Sequence, residues 1–122
     1  MVAHHKCMQF PPDQIEELKA AFPTVLSAEE GGIFYFLIPK FPLPPGNSPS
    51  VVDILLCPTA DRHGYPSRLF FAQQVQSPKP LNWNANGVRI LERNWYAYSW
   101  KVAQQGLRLI QILALHVRAL QS

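Results

Sequence analysis

The stretch SVVDILLCPTADRHGYPSRLFFA, Ser50 to Ala72, decides how the rest of the chain is read. Val51 to Cys57 is an apolar run with Asp53 as its only charge, the composition of a well-buried strand. A polar loop, Thr59 to Tyr65, follows it, and Leu69 to Val75 is a second apolar run. Apolar runs joined by a short polar loop predict strands that are neighbours in a sheet. The stretch also raises a chemical question, because Cys57 ends the first run and His63 lies in the loop. A thiolate activated by histidine is a nucleophile. A cysteine closing an apolar strand is more often a small buried hydrophobe, and a buried thiol is inert. The second reading is adopted for Cys57, with the first kept as the alternative.

Working upstream, Pro11-Pro12-Asp13 opens a helix, with Asp13 as its cap and Glu16 completing a capping box. Ile15, Leu18 and Phe22 share one face, and Pro23 stops the helix near Phe22. Val25 to Ala28 reads as a short strand, Glu29 to Gly32 as a turn, and Ile33 to Ile38 as a buried strand. Pro39, Pro42, Pro44 and Pro45 then impose an extended segment, and Gly46 to Pro49 turns the chain.

Working downstream, Gln76 to Gly87 reads as irregular, with Pro78, Pro80, Asn82, Asn84 and Asn86. Val88 to Leu91 is a short strand, and Asn94 to Trp100 holds two of the three tryptophans. Ala103 to Leu120 reads as a final helix whose apolar face includes Leu107, Ile110, Leu113, Ala114, Val117 and Leu120. Helix, strands, irregular segment and helix, in that order, predict an α+β fold: an N-terminal helix, an antiparallel β-meander and a C-terminal helix. Residues 1–12 are expected to be a flexible N-terminal segment and residues 13–122 a single domain.

The chain has 122 residues, 48% hydrophobic and 16% charged, enough for one core and too apolar for a disordered chain. A net charge of +3 without a basic run argues against nucleic acid as a partner. The two cysteines, Cys7 and Cys57, form no disulfide framework, and the first residues lack the apolar run of a signal peptide. Gly106 to Leu120 carries Arg108, His116 and Arg118 and is too short to span a bilayer. A cytoplasmic location without membrane contact is the expectation.

The order of elements, LPPG at Leu43 to Gly46 before VVDILL, GYP at Gly64 to Pro66 before RLFFA, and NWYAYSWKV at Asn94 to Val102 before the final helix together resemble the ubiquitin-conjugating-enzyme (UBC-like) fold. The resemblance covers about Asp13 to Leu120 and is nearest to bacterial UBC-like proteins of ubiquitin-like modification pathways. It implies binding to a ubiquitin-like protein or its activating machinery. In conjugating enzymes of this fold the thioester cysteine follows the last meander strand, after a His-Pro-Asn motif. The matching stretch here, QSPKPLNWNANGVRILERNWYAYSW from Gln76 to Trp100, has neither. The resemblance therefore speaks for the fold more than for the enzymology.

Other chemistry is sparse. His4, His5 and Cys7 lack an evident fourth zinc ligand. Asp53, Asp61, Glu29 and Glu30 form no metal or acid–base signature, and no phosphate-binding glycine loop, serine elbow or His-Glu-x-x-His occurs. No metal and no organic cofactor are expected. Trp83, Tyr96 and Trp100 remain as anchors for a protein partner, against the alternative that they are ordinary packing; Trp83, among asparagines, reads as lying in an open loop. The leading expectation is a non-catalytic interaction module. The alternatives are an atypical conjugating enzyme using Cys57 with His63, and a homo-oligomeric structural protein joined through its final helix.

Overall fold

Gly31 and Gly32 set the first hairpin. Both have positive φ (61° and 81°), as a two-residue type I′ turn requires, and they join β1 (Leu26–Glu30) to β2 (Ile33–Pro42). The computed structural model describes residues 11–59, 65–102 and 106–121. The expected flexible segment lies largely outside these residues, as do His4, His5, Cys7, Asp61 and His63. The chain is α+β: helix α1 (Pro12–Ala21), a six-stranded antiparallel sheet, helix α2 (Leu109–Val117) and a 3₁₀ turn at Arg118–Leu120. The remaining strands are β3 (Val51–Cys57), β4 (Arg68–Phe71), β5 (Trp83–Ile90) and β6 (Arg93–Tyr98), in the order β1-β2-β3-β4-β6-β5. The first four strands form the expected meander. No helix among the described residues is long and apolar enough to cross a membrane.

Strand alternation gives the sheet two apolar faces. Phe36, Ile38, Ile54, Leu56, Leu69 and Phe71 pack with Leu18 of α1 and with Leu109, Ile112 and Leu113 of α2. The opposite parity, Tyr35, Leu55, Cys57 and Phe70, packs with Ala85, Ile90, Trp95 and Ala97 of the β5–β6 hairpin. That hairpin touches β4 through the Phe71–Tyr96 register pair and then reaches back to the far edge of the sheet. There the Leu91 N–H donates to Glu30 Oε1 at 2.9 Å. The helices thus cover one face and the curled hairpin the other. The hairpin's turn is again of the I′ kind, but with Leu91 (φ 52°) and Glu92 (φ 63°) in place of glycines, a conformation L-residues resist.

Asp53, the only charge in its strand, is half-buried and bonds the backbone of the neighbouring strand. Between the Ile38–Ile54 and Phe41–Val52 pairs, Pro39 and Lys40 of β2 oppose the single Asp53 of β3, a β-bulge. Lys40 has φ 54°, and its N–H donates to Asp53 Oδ1 at 2.8 Å. Arg93 closes on the other oxygen at 3.0 Å. The backbone donor, then the guanidinium, hold this carboxyl below its ordinary 3.8.

Several boundaries differ from expectation. α1 begins at Pro12 behind Pro11, so Asp13 caps nothing; its carboxylate pairs with Arg108 at 2.8 Å, and Glu17 takes the same guanidinium at 2.9 Å. β4 ends at Phe71, short of Val75, with one further bond in the same register from the Ala72 N–H to the Asp53 carbonyl at 3.0 Å. β5 begins at Trp83, not Val88. The asparagine-rich segment is an edge strand that absorbs two register shifts, one of them around Gly87 (φ 77°). α2 begins at Leu109, after Gly106 (φ 71°) and an extended Arg108. Gln14 of α1 accepts the Leu109 N–H at 3.1 Å, and Gln111 accepts that of Arg108 at 2.8 Å.

The proline-rich crossing is locked to the end of the chain. Buried Asn47 donates to the carbonyls of Pro44 and Leu120, both at 2.9 Å, and accepts from Ser77 at 2.7 Å. Gly46 is required beside it: its φ is 94°, and a Cβ would come within 3.0 Å of Pro78.

Candidate functional site: a basic groove around Trp100

β6 ends at Tyr98, and the Ser99 N–H makes a last bond to the Asn82 carbonyl at 2.8 Å. Beyond it the chain runs along the last turn of α2. Helix carbonyls in that turn offer acceptors, and two aromatic donors take them. Tyr98 donates to the His116 carbonyl and the Trp100 indole N–H to the Leu115 carbonyl, each at 3.0 Å. Tyr98 is buried, which pushes its phenol pKa up, whereas Trp100 remains 39% exposed. The fixed indole is one wall of a groove of about 580 Å³. Val102, Leu107 and Leu115 make the apolar floor, and Lys79, Lys101 and Arg118 the rim. None of these lining residues is acidic.

A polar cluster lies directly behind Lys101. Its Nζ sits 5.7 Å from the centroid of the Tyr65 ring, and the Arg68 guanidinium stacks on that ring at 4.0 Å. The Tyr65 hydroxyl bonds Ser99 Oγ at 3.1 Å and accepts from Asn84 Nδ2 at 2.8 Å, while Asn84 Oδ1 accepts from Arg68. Those hydrogen bonds, then the two cations, hold the phenol below its ordinary 10.0. Tyr65, Arg68, Asn84, Ala85, Asn86 and Val88 line a second cavity of about 360 Å³.

Cys57 is elsewhere and sealed. It has 0% exposure, faces Arg68 in the β3–β4 register, and packs on the hairpin side with Phe70 and Trp95. Its thiol donates to the Thr59 carbonyl at 3.4 Å. The expected partner, His63, lies outside the described residues. A different serine–histidine pair, which the sequence did not suggest, occupies the helix side. Ser67 Oγ and His116 Nε2 are 2.7 Å apart, and both residues are fully buried. Burial, then the Arg68 charge, push the His116 pKa down to about 4. This buried pair joins α2 to the start of β4.

The three aromatic candidates do not share one surface. Trp83 is not in an open loop. It is paired with Tyr98 in the β5–β6 ladder, and its half-buried ring meets Phe71 and Tyr98 edge to face at 5.7 and 5.2 Å. The asparagines that suggested a loop are engaged by side chains, Asn84 with Tyr65 and Arg68, Asn86 with Gln74. Tyr96 is half-buried at the β4–β6 junction. Trp100 alone of the three lines the groove. Among the described residues no three histidine, cysteine, aspartate or glutamate side chains are grouped to hold a metal ion. No family model, curated protein or solved structure matches the chain.

Proposed function

We propose that this chain is a non-catalytic protein-binding module of UBC-like architecture, acting in the cytoplasm in a bacterial ubiquitin-like modification pathway, and that it meets its partner at the Trp100 groove. The groove itself carries the reading: a half-exposed indole, oriented by the Leu115 carbonyl, over an aliphatic floor with a cationic rim. Interface anchors have this character, an aromatic ring held rigid beside arginine or lysine. The sealed position of Cys57 favours a binding role over thioester chemistry, which needs an accessible thiolate. The pathway rests on the resemblance in element order and in the LPPG and GYP turns.

The test is to mix the protein with a ubiquitin-like protein and its activating enzyme. A non-covalent complex is expected, one that shifts the Trp100 indole resonance and is weakened by Trp100→Ala. Cys57 is expected to resist alkylation until the protein unfolds. A thiol-labile adduct that disappears in Cys57→Ser would overturn the non-catalytic assignment. A complex indifferent to Trp100→Ala would overturn the surface.

A further inference from the structure

We infer that the Trp100 groove takes a short acidic peptide segment bearing one aliphatic side chain. The aliphatic group seats on Trp100, Val102, Leu107 and Leu115, and flanking carboxylates meet Lys79, Lys101 and Arg118. The inference deepens the proposed function and rests on that reading of the groove as a contact surface.

Charge complementarity selects the acidic partner. Three cations line the groove, and among the described residues its lining contains no carboxylate. The ion pairs found among the described residues join Arg93 to Asp53 and Arg108 to Asp13 and Glu17; none engages the groove's cations. Like charges gathered on one rim repel each other and are relieved by an anion that bridges them.

The floor selects the aliphatic anchor. The Trp100 N–H is already bonded to Leu115, so the exposed indole offers its apolar surface to a partner. Its neighbours in the floor are branched aliphatics, with no second aromatic among the described residues of the lining. Single-stranded nucleic acid uses successive aromatic platforms for successive bases, which this floor lacks. A lipid surface is matched by a protruding apolar face, and this one is concave. About 580 Å³ accommodates one large side chain with its flanking backbone.

The experiment uses the whole chain and a peptide probe, acetyl-Asp-Glu-Leu-Asp-Glu-amide, followed by NMR of the three indole and the backbone amide signals. The expected result is a shift of the Trp100 indole and of the Leu115 and Lys101 amides. Replacing the peptide's leucine by glycine should weaken binding about tenfold or more, the worth of burying that side chain. Raising the salt from low to molar concentration should weaken it by about threefold to tenfold, as screened surface ion pairs require. The charge-reversed peptide, with lysine and arginine around leucine, should not bind. A triple variant, Lys79→Gln with Lys101→Gln and Arg118→Gln, alters exposed side chains and should stay folded while losing the preference for the acidic peptide.

Groove shifts produced instead by oligothymidylate or phosphatidylserine vesicles, and not by the peptide, would overturn the inference. So would equal binding of both peptide charges. A silent acidic peptide, with a ubiquitin-like partner still shifting Trp100, would remove the inference and leave the proposed function standing. Silence at Trp100 toward every probe and partner would remove both.

Discussion

Trp95 and Trp100 belong to the same short run, NWYAYSW, and end in opposite environments. Trp95 is wholly buried beneath the hairpin, its N–H on the Ile90 carbonyl at 3.0 Å and the Arg93 guanidinium 4.7 Å from its ring. Trp100, beyond the end of β6, also has its N–H bonded to a carbonyl, yet keeps 39% of its surface open. Both rings are therefore oriented, one to seal a core and one to be seen. The same division runs through the end of α2, where the His116 side chain is sealed while neighbouring Leu115 and Arg118 line the groove. One short segment and one helix turn thus separate what holds the molecule together from what it offers outward.

The largest effect should come from breaking the sealed side at its centre. Trp95→Ala is expected to cost about 3–5 kcal/mol in chemical denaturation, the range for a buried tryptophan removed from a packed core. A cost near that of a surface substitution would mean that the hairpin does not seal this face.

His116 gives a sealed group that pH can reach. Its folded pKa, about 4, lies below the ordinary 6.5, so the unfolded chain binds a proton first as pH falls. The stability is complete above about pH 6.5, declines toward pH 4 by about 3 kcal/mol, and changes no further from this group below that. His116→Gln, which retains a hydrogen-bonding side chain toward Ser67, should flatten the profile in that window. An unchanged slope would show that the histidine is not held neutral.

Asp53 sharpens the picture by titrating in a different window. Its folded pKa is depressed, so its contribution is present above the ordinary 3.8 and is lost as pH falls below it. Asp53→Ala leaves the Lys40 N–H at the bulge without its acceptor and should cost about 1–2 kcal/mol at neutral pH. Its effect should fade in acid, below the window of His116.

On the open side the expected stability effects are small. Trp100→Ala should cost less than about 1 kcal/mol while weakening partner binding, a separation of folding from function that Trp95→Ala cannot show. Smallest is a gain: Glu92→Gly relieves a positive φ at the tip of the sealing hairpin and should stabilise the fold by about 0.5 kcal/mol, after glycine's entropic cost is deducted. A loss there would mean that the Glu92 side chain makes a contact worth more than the backbone strain.

Some of this was legible in the residues. Val51–Cys57 was marked by its apolar run and forms the expected strand, and the α1 face of Ile15, Leu18 and Phe22 packs into the core as periodicity indicated. The asparagine-rich β5 was not legible, because local polarity reads as loop and its strand is stabilised by side-chain partners distant in sequence. The early start assigned to the last helix had the same origin. Apolar spacing continued through Leu107, but Gly106 and extended Arg108 delay the helix until Leu109.

The site divides along the same line. Trp100 could be nominated from the sequence, as one of three aromatics of the kind that anchor interfaces. Lys79 and Arg118 could not, because they come from different segments and carry no motif. Nor could the Ser67–His116 contact, which joins residues 49 apart. By itself the sequence determined the α+β class, the meander and the helices at either end, because alternation, helical period and proline placement are local properties of the chain. The tertiary structure alone decided that Cys57 is sealed, that Trp83 packs inward and that three scattered cations surround Trp100. Burial and proximity depend on how the hairpin curls and where α2 docks, and those are set by packing summed over the whole molecule.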